Sequence, residues 1–169
     1  MRTILTLFAA LVISTSAFAS SPQTQVTAED PKPIASRVTN VQPGEDYTTK
    51  PEGVEIENED RPASSGTIGV YRVHATEEHG SAISLVFRPG SKGKAKKLRA
   101  LDVAGFLPGS EGEVEGTGGR VLAYPGSKVK VTNTAGPGGP PMTLEIQQPM
   151  GLPPVVVTVA PGSTVTYGD

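Results

Sequence analysis

His74 and His79 are the only histidines of the chain, and they bracket two carboxylates in the stretch His74-Ala-Thr-Glu-Glu-His79. Two imidazoles and two carboxylates this close form a donor set for a divalent ion, because imidazole suits copper, zinc or nickel and a turn can fold ligands together. Residues five apart face opposite sides of a strand and different sides of a helix, so such a site depends on the loop or on distant ligands. Met142 and Met150 are the distant candidates, since thioether plus imidazole is a soft set appropriate to Cu(I). Each has a plainer reading. Met142 opens an alternating apolar series with Leu144 and Ile146, as a core residue does; Met150 lies in the loop Gln148-Pro-Met-Gly-Leu-Pro-Pro154; and the histidines mark a polar strand end.

A second cluster is cationic. Ser91-Lys-Gly-Lys-Ala-Lys-Lys-Leu-Arg99 places Lys92, Lys94, Lys96, Lys97 and Arg99 just after a Pro-Gly pair, and it reads as a basic loop able to hold an anionic polymer, a membrane surface or an acidic partner. The acidic stretch from Glu52 to Asp60 is its intramolecular match, which would leave both as solvated surface. The basic loop has no aromatic residue on which nucleic-acid bases would stack.

Catalytic arrangements find few residues to build on. Ser91-x-x-Lys94 has the Ser–Lys spacing but falls in a Gly/Lys-rich turn instead of at a helix start. With both histidines in one short segment, and Asp102 the only Asp between Thr67 and the terminal Asp169, a Ser-His-Asp arrangement has almost no candidates. Glu111, Glu113 and Glu115 offer paired carboxylates, yet Gly-Ser-Glu-Gly-Glu-Val-Glu-Gly reads as a polar hairpin arm. Gly116-Thr-Gly-Gly119 lacks the Lys-Ser/Thr of a phosphate loop and precedes a strand. The sequence therefore predicts a protein that is not an enzyme and requires no cofactor, with copper or zinc as the ions to test.

The elements that carry these residues follow from composition. The chain has 169 residues, 15 Lys+Arg against 17 Asp+Glu, 20 Gly, 16 Pro and no Cys or Trp. Near-neutral charge argues against nucleic acid as a partner. Without cysteine, disulfide scaffolds, thiolate metal sites and cysteine nucleophiles are excluded. Arg2, the apolar run Ile4 to Ile13 and Ala17-Phe18-Ala19 have the order of a signal peptide, residues 1–19, and the run is too short to span a bilayer. Residues 20–66 are rich in Pro, Ser, Thr and acids, with four basic residues against nine acidic ones, and read as a largely disordered arm or linker. Within it, Val54-Glu-Ile-Glu57 alternates like an edge strand.

Residues 67–169 read as a β domain of seven to nine short strands, the alternation being clearest at Val129/Val131, Leu144/Ile146 and Val165/Tyr167. Pro-Gly-Ser recurs at Pro89, Pro108, Pro125 and Pro161, spaced 19, 17 and 36 residues, and each Pro-Gly marks a chain reversal. The stretch Tyr124-Pro-Gly-Ser-Lys-Val-Lys-Val-Thr-Asn-Thr134 resembles the Pro-Gly-x-x-Val-x-Val-x-Asn segment of cupredoxins and of several bacterial immunoglobulin-like domains. The resemblance covers 11 residues and implies a β-sandwich. It implies no blue-copper centre, because the terminal Thr164-Val-Thr-Tyr-Gly-Asp169 lacks the Cys, His and Met ligands.

Together these observations predict an all-β, immunoglobulin-like or cupredoxin-like antiparallel sandwich of Greek-key type, preceded by a flexible N-terminal arm. The function expected is that of a periplasmic or secreted accessory or binding module of the bacterial envelope. Its partner would be an envelope protein or an anionic polymer, met by the Lys92–Arg99 cluster and the Gly136–Pro141 loop, with no transmembrane segment in the mature chain. Two alternatives stand beside it: a periplasmic copper or zinc carrier using His74, His79, Met142 and Met150, and a strand-donating surface or filament subunit.

Overall fold

The structure is a computed structural model and describes residues 38–59, 66–74 and 81–168. Thirteen strands form two sheets. In chain order they are β1 (Val38–Val41), β2 (Asp46–Thr48), β3 (Glu55–Asn58), β4 (Ile68–His74), β5 (Ser81–Phe87), β6 (Lys92–Leu98), β7 (Val103–Phe106), β8 (Glu111–Gly116), β9 (Arg120–Ala123), β10 (Lys128–Asn133), β11 (Met142–Ile146), β12 (Val155–Val159) and β13 (Thr164–Tyr167). The first sheet runs β1-β4-β5-β7-β9-β11-β12 and the second β13-β10-β8-β6-β3-β2.

This order is a β-solenoid of about three turns. The strand pairs β5/β7, β7/β9 and β9/β11 in one sheet, and β6/β8 and β8/β10 in the other, are parallel. Each coil lays one strand in each sheet, and the next coil stacks on it. Antiparallel strands close both ends: β4 on β5 and β3 on β6 before the coils, β12 on β11 and β13 on β10 after them.

The expected antiparallel Greek-key sandwich is therefore wrong, and the reason lies in the turns. In Arg88-Pro-Gly-Ser91, Leu107-Pro-Gly-Ser110 and Tyr124-Pro-Gly-Ser127 the serine amide donates to the carbonyl three residues back at 3.0 Å, and the glycines stand at φ 83, 80 and 83°. Pro followed by a positive-φ residue is type II geometry, whose twist does not suit a two-residue hairpin. Here the turn makes a corner, carrying the chain from one sheet to the other. Successive corners stack, with the Gly90 amide donating to the Gly109 carbonyl and the Gly109 amide to the Gly126 carbonyl, both at 2.9 Å. Each serine hydroxyl donates to the same carbonyl its amide reaches, at 2.7 Å, so a buried hydroxyl is satisfied within the turn. The fourth corner, Ala160-Pro-Gly-Ser163, joins β12 to β13 on the opposite edge, where the Gly162 amide donates to the Asn133 carbonyl.

The core is thin and filled in complementary rows. Phe87 and Phe106 stack with ring centroids 4.1 Å apart, and both are fully buried. Facing them in the second sheet is Gly112, while its neighbour Gly93 faces Ile68. A Cβ at Gly112 would lie 2.9 Å from the Phe106 ring and 2.5 Å from the Gly93 carbonyl oxygen. This pairing of large with absent side chains explains two misread segments. The basic loop is strand β6 and the polar hairpin arm is β8; their inward positions are Gly93/Ala95 and Gly112/Val114/Gly116, so period-2 alternation is present but written in small residues. Val38–Asn58, within the stretch expected as a disordered arm, supplies β1 to β3, and the expected edge strand Val54–Glu57 lies between β2 and β6.

Gly112→Ala is expected to destabilise the fold by about 1–3 kcal/mol through overpacking. Gly136→Ala, whose Cβ would meet nothing within 4 Å, should change stability by less than about 0.5 kcal/mol in the same urea titration. Equal effects at the two glycines would contradict this packing.

Candidate functional site

Of the four residues considered as metal ligands, three are described, and they are spread across the first sheet and its C-terminal loop. His74 ends β4, in register with Ser81, and Met142 begins β11. β4 and β11 are four strand steps apart in the sheet, about 19 Å at ordinary strand spacing. Met142 is fully buried in the core, whereas Met150 is 99 % exposed beyond the other end of β11. His79 lies outside the described residues. Among the described residues no group of three or more His, Asp or Glu is placed to hold a metal ion.

The lysines stand on the outer face of the second sheet, in columns that alternate in charge. Register sets Glu57 beside Lys94, Lys94 beside Glu113 and Glu113 beside Lys130; a neighbouring row sets Lys92 beside Glu111 and Glu111 beside Lys128. Lys92 reaches Glu111 at 3.3 Å, Lys130 reaches Glu113 at 3.7 Å, and Lys97 donates to Glu55 at 2.6 Å. The Lys97 hydrogen bond holds the Glu55 carboxyl below its ordinary range. Exposed pairs of this kind add little stability. They do decide what the face can hold: an anionic polymer laid across it meets a carboxylate column beside every lysine column. The acidic match foreseen for the basic segment is present on one side as β3, while β8 on the other side was missed.

Arg99 is set apart from that face. Its guanidinium grips Asp102, with Nε to Oδ2 and the terminal nitrogen to Oδ1 both at 3.1 Å, and also donates to the Ser81 carbonyl at 3.0 Å. Asp102 is buried and accepts the Ile83 amide at 2.9 Å as well. Close by, Arg72 donates to both oxygens of Glu52, at 2.7 and 2.9 Å, and to the Lys50 carbonyl at 2.5 Å, while the Ser81 hydroxyl donates to Glu52. Burial pushes the Glu52 carboxyl up, but the hydrogen bonds from Arg72 and Ser81 outweigh it and bring it down to about 2. Both buried carboxylates are thus fully engaged in fastening β4, β5 and the 49–54 turn to the first coil.

Comparison with known proteins adds no relative: no protein family matches the chain, and neither curated proteins nor solved structures include a similar one.

The feature that sequence reasoning missed is the C-terminal end. Among the described residues β12 is the outermost strand of the first sheet and β13 of the second, so the two sheets end side by side there. Val155 and Val156 are 48 and 58 % exposed, Leu152 57 %, and Met150 stands at the tip of its loop with φ 62°, a left-handed conformation rare for a residue with a side chain. Val157, Val165 and Tyr167 face the interior and are partly buried against the core, at the strands that end it among the described residues. Neither strand contains Lys, Arg, Asp or Glu. At the other end the groove is polar, a cavity of about 520 Å³ lined by Thr39, Tyr47, Thr48, Lys50, Val70 and Arg72 among others. The signal in the sequence is Val155-Val-Val-Thr-Val159: it has no polar alternation, and a strand read as half-buried should have shown one.

Glu52 supplies a pH test. Its carboxyl is lower in the folded state, about 2, than its ordinary 4.5, so its stabilisation is complete above pH 4.5 and is lost as pH falls from 4.5 toward 2. Glu52→Gln should lose about 1–3 kcal/mol at pH 7 and show a flatter decline in that window than the wild type. Parallel curves for the two proteins would remove Glu52 from the clamp.

Proposed function

We propose that this protein is a non-enzymatic interaction module of the bacterial envelope, exported by its 1–19 segment, and that it engages a protein partner through the apolar C-terminal end of its solenoid. One observation carries the reading: among the described residues β12 and β13 are the outermost strands of the two sheets at one end, uncharged, with partly buried apolar residues between them and the exposed Met150 and Leu152 beside them. Natural sheets blunt an open edge with charge, proline or a covering loop, and solenoids close their ends with a polar cap. An end with neither among the described residues favours strand addition by a partner. The strand-donating alternative shares this surface, but not through Val54–Glu57, which is held inside the second sheet.

The anionic-polymer partner gains no support from the charge-alternating face, where Lys92, Lys94 and Lys96 stand among Glu55, Glu57, Glu111 and Glu113. The metal carrier retains only the His74–His79 segment as its basis.

A photo-crosslinking residue placed at Val156 tests the proposal in the producing bacterium, with one at Glu113 as the control on the charged face. Crosslinks to protein are expected from position 156 and not from 113. Crosslinks from 113 alone, or from neither position, would overturn the reading.

A further inference from the structure

Among the described residues both sheets end at the same end of the solenoid, in β12 and β13, and this limits what can cover them. A single added strand would pair with β12 or with β13, and would leave the other edge and the partly buried Val157, Val165 and Tyr167 without added cover. An occupant that covers all three must itself have two sheets at the same spacing, about 10 Å for packed sheets. The same end of a second copy has that spacing by construction.

We infer that two copies of the protein join tail to tail, β12 adding to β12 and β13 to β13 across a two-fold axis, so that both sheets run on from one copy into the next. The inference rests on the reading of the C-terminal end as a protein-binding surface and names the partner.

Three observations support it. Strands paired across a two-fold axis are antiparallel, the arrangement β12 and β13 already make with β11 and β10. Self-pairing sets each residue near its own kind, which is unfavourable for charged strands; β12 (Val-Val-Val-Thr-Val) and β13 (Thr-Val-Thr-Tyr) bring no like charges together. A head-to-tail arrangement would instead set β12 on the uncharged β1 and β13 on the polar β2, with Asp46 and Thr48 and Lys50 nearby. The two-fold contact closes at two copies, whereas the head-to-tail one would propagate into a filament.

Size makes the pair weak: strands about 17 Å long in a two-layer cross-section about 20 Å thick bury roughly 350 Å² per copy, about 700 Å² in all, which is less than the roughly 1,000 Å² of a stable interface, so the pair is a reversible one.

Sedimentation of the mature chain from about 1 to about 300 μM is expected to show monomer and dimer and nothing larger. Val156→Lys and Thr166→Lys, both at exposed positions, should raise the dissociation constant at least about tenfold, a loss of about 1.4 kcal/mol, with an unchanged circular dichroism spectrum. Because the chain has no cysteine, a single Val156→Cys links only to its own copy, and a short bis-maleimide should trap it as a dimer; Val73→Cys, equally exposed on β4, should stay monomeric. A wild type that stays monomeric throughout would overturn the inference, as would growth into open-ended polymers. If the purified chain is monomeric while position 156 crosslinks to a different protein in the cell, the tail-to-tail pair falls and the interaction module stands.

Discussion

The hydrogen bond between stacked Pro-Gly corners sets the geometry on which everything else in this solenoid depends. The Gly90 amide reaches the Gly109 carbonyl and the Gly109 amide reaches Gly126, so three corners lie directly over one another along one edge. A fixed corner fixes the register of both strands that leave it. β5, β7 and β9 then align in parallel in one sheet, and β6, β8 and β10 in the other. From that alignment come the Phe87–Phe106 stack, the Gly112 position that makes room for it, and the charge columns of the outer face. Each would fail if one coil slipped by a single residue, because a slip turns every side chain to the other face of its sheet.

Much of this was legible in the chain. The Pro-Gly-Ser spacings of 19 and 17 residues are the coil lengths, and most strands beyond Thr67 fall where alternation places them. The arrangement of those strands was not legible, because a reversal between sheets and a reversal within a sheet share the same turn residues. The distinguishing signal was turn type: Pro-Gly makes type II, and hairpins of two residues prefer the mirror-image turns. β6 and β8 were obscured for a different reason. Gly112 is small because Phe87 and Phe106 fill the space opposite and Gly93 because Ile68 does, so hydrophobicity alone could not mark these strands.

The candidate site divides along similar lines. Residue types near His74 and the lysines drew attention, but pairing decides what a charged residue does: Lys94 and Lys130 face carboxylates in register, and Arg99 is occupied by Asp102. The proposed interaction surface is set by position: β12 and β13 carry no charged residue and are the outermost strands among the described residues, which only the sheet order reveals. At the other end Glu52, Arg72, Ser81, Arg99 and Asp102 lock the first coil through two buried carboxylates.

Residue-resolved hydrogen exchange at the corner glycines tests the stacked solenoid most directly. The Gly90 and Gly109 amides should exchange as slowly as those of the core strands, because each donates to the corner above, while Gly126, the last acceptor of the stack, should exchange far faster. Rapid exchange at all three glycines, as separate solvent-exposed turns would give, would contradict the solenoid and the ends it defines.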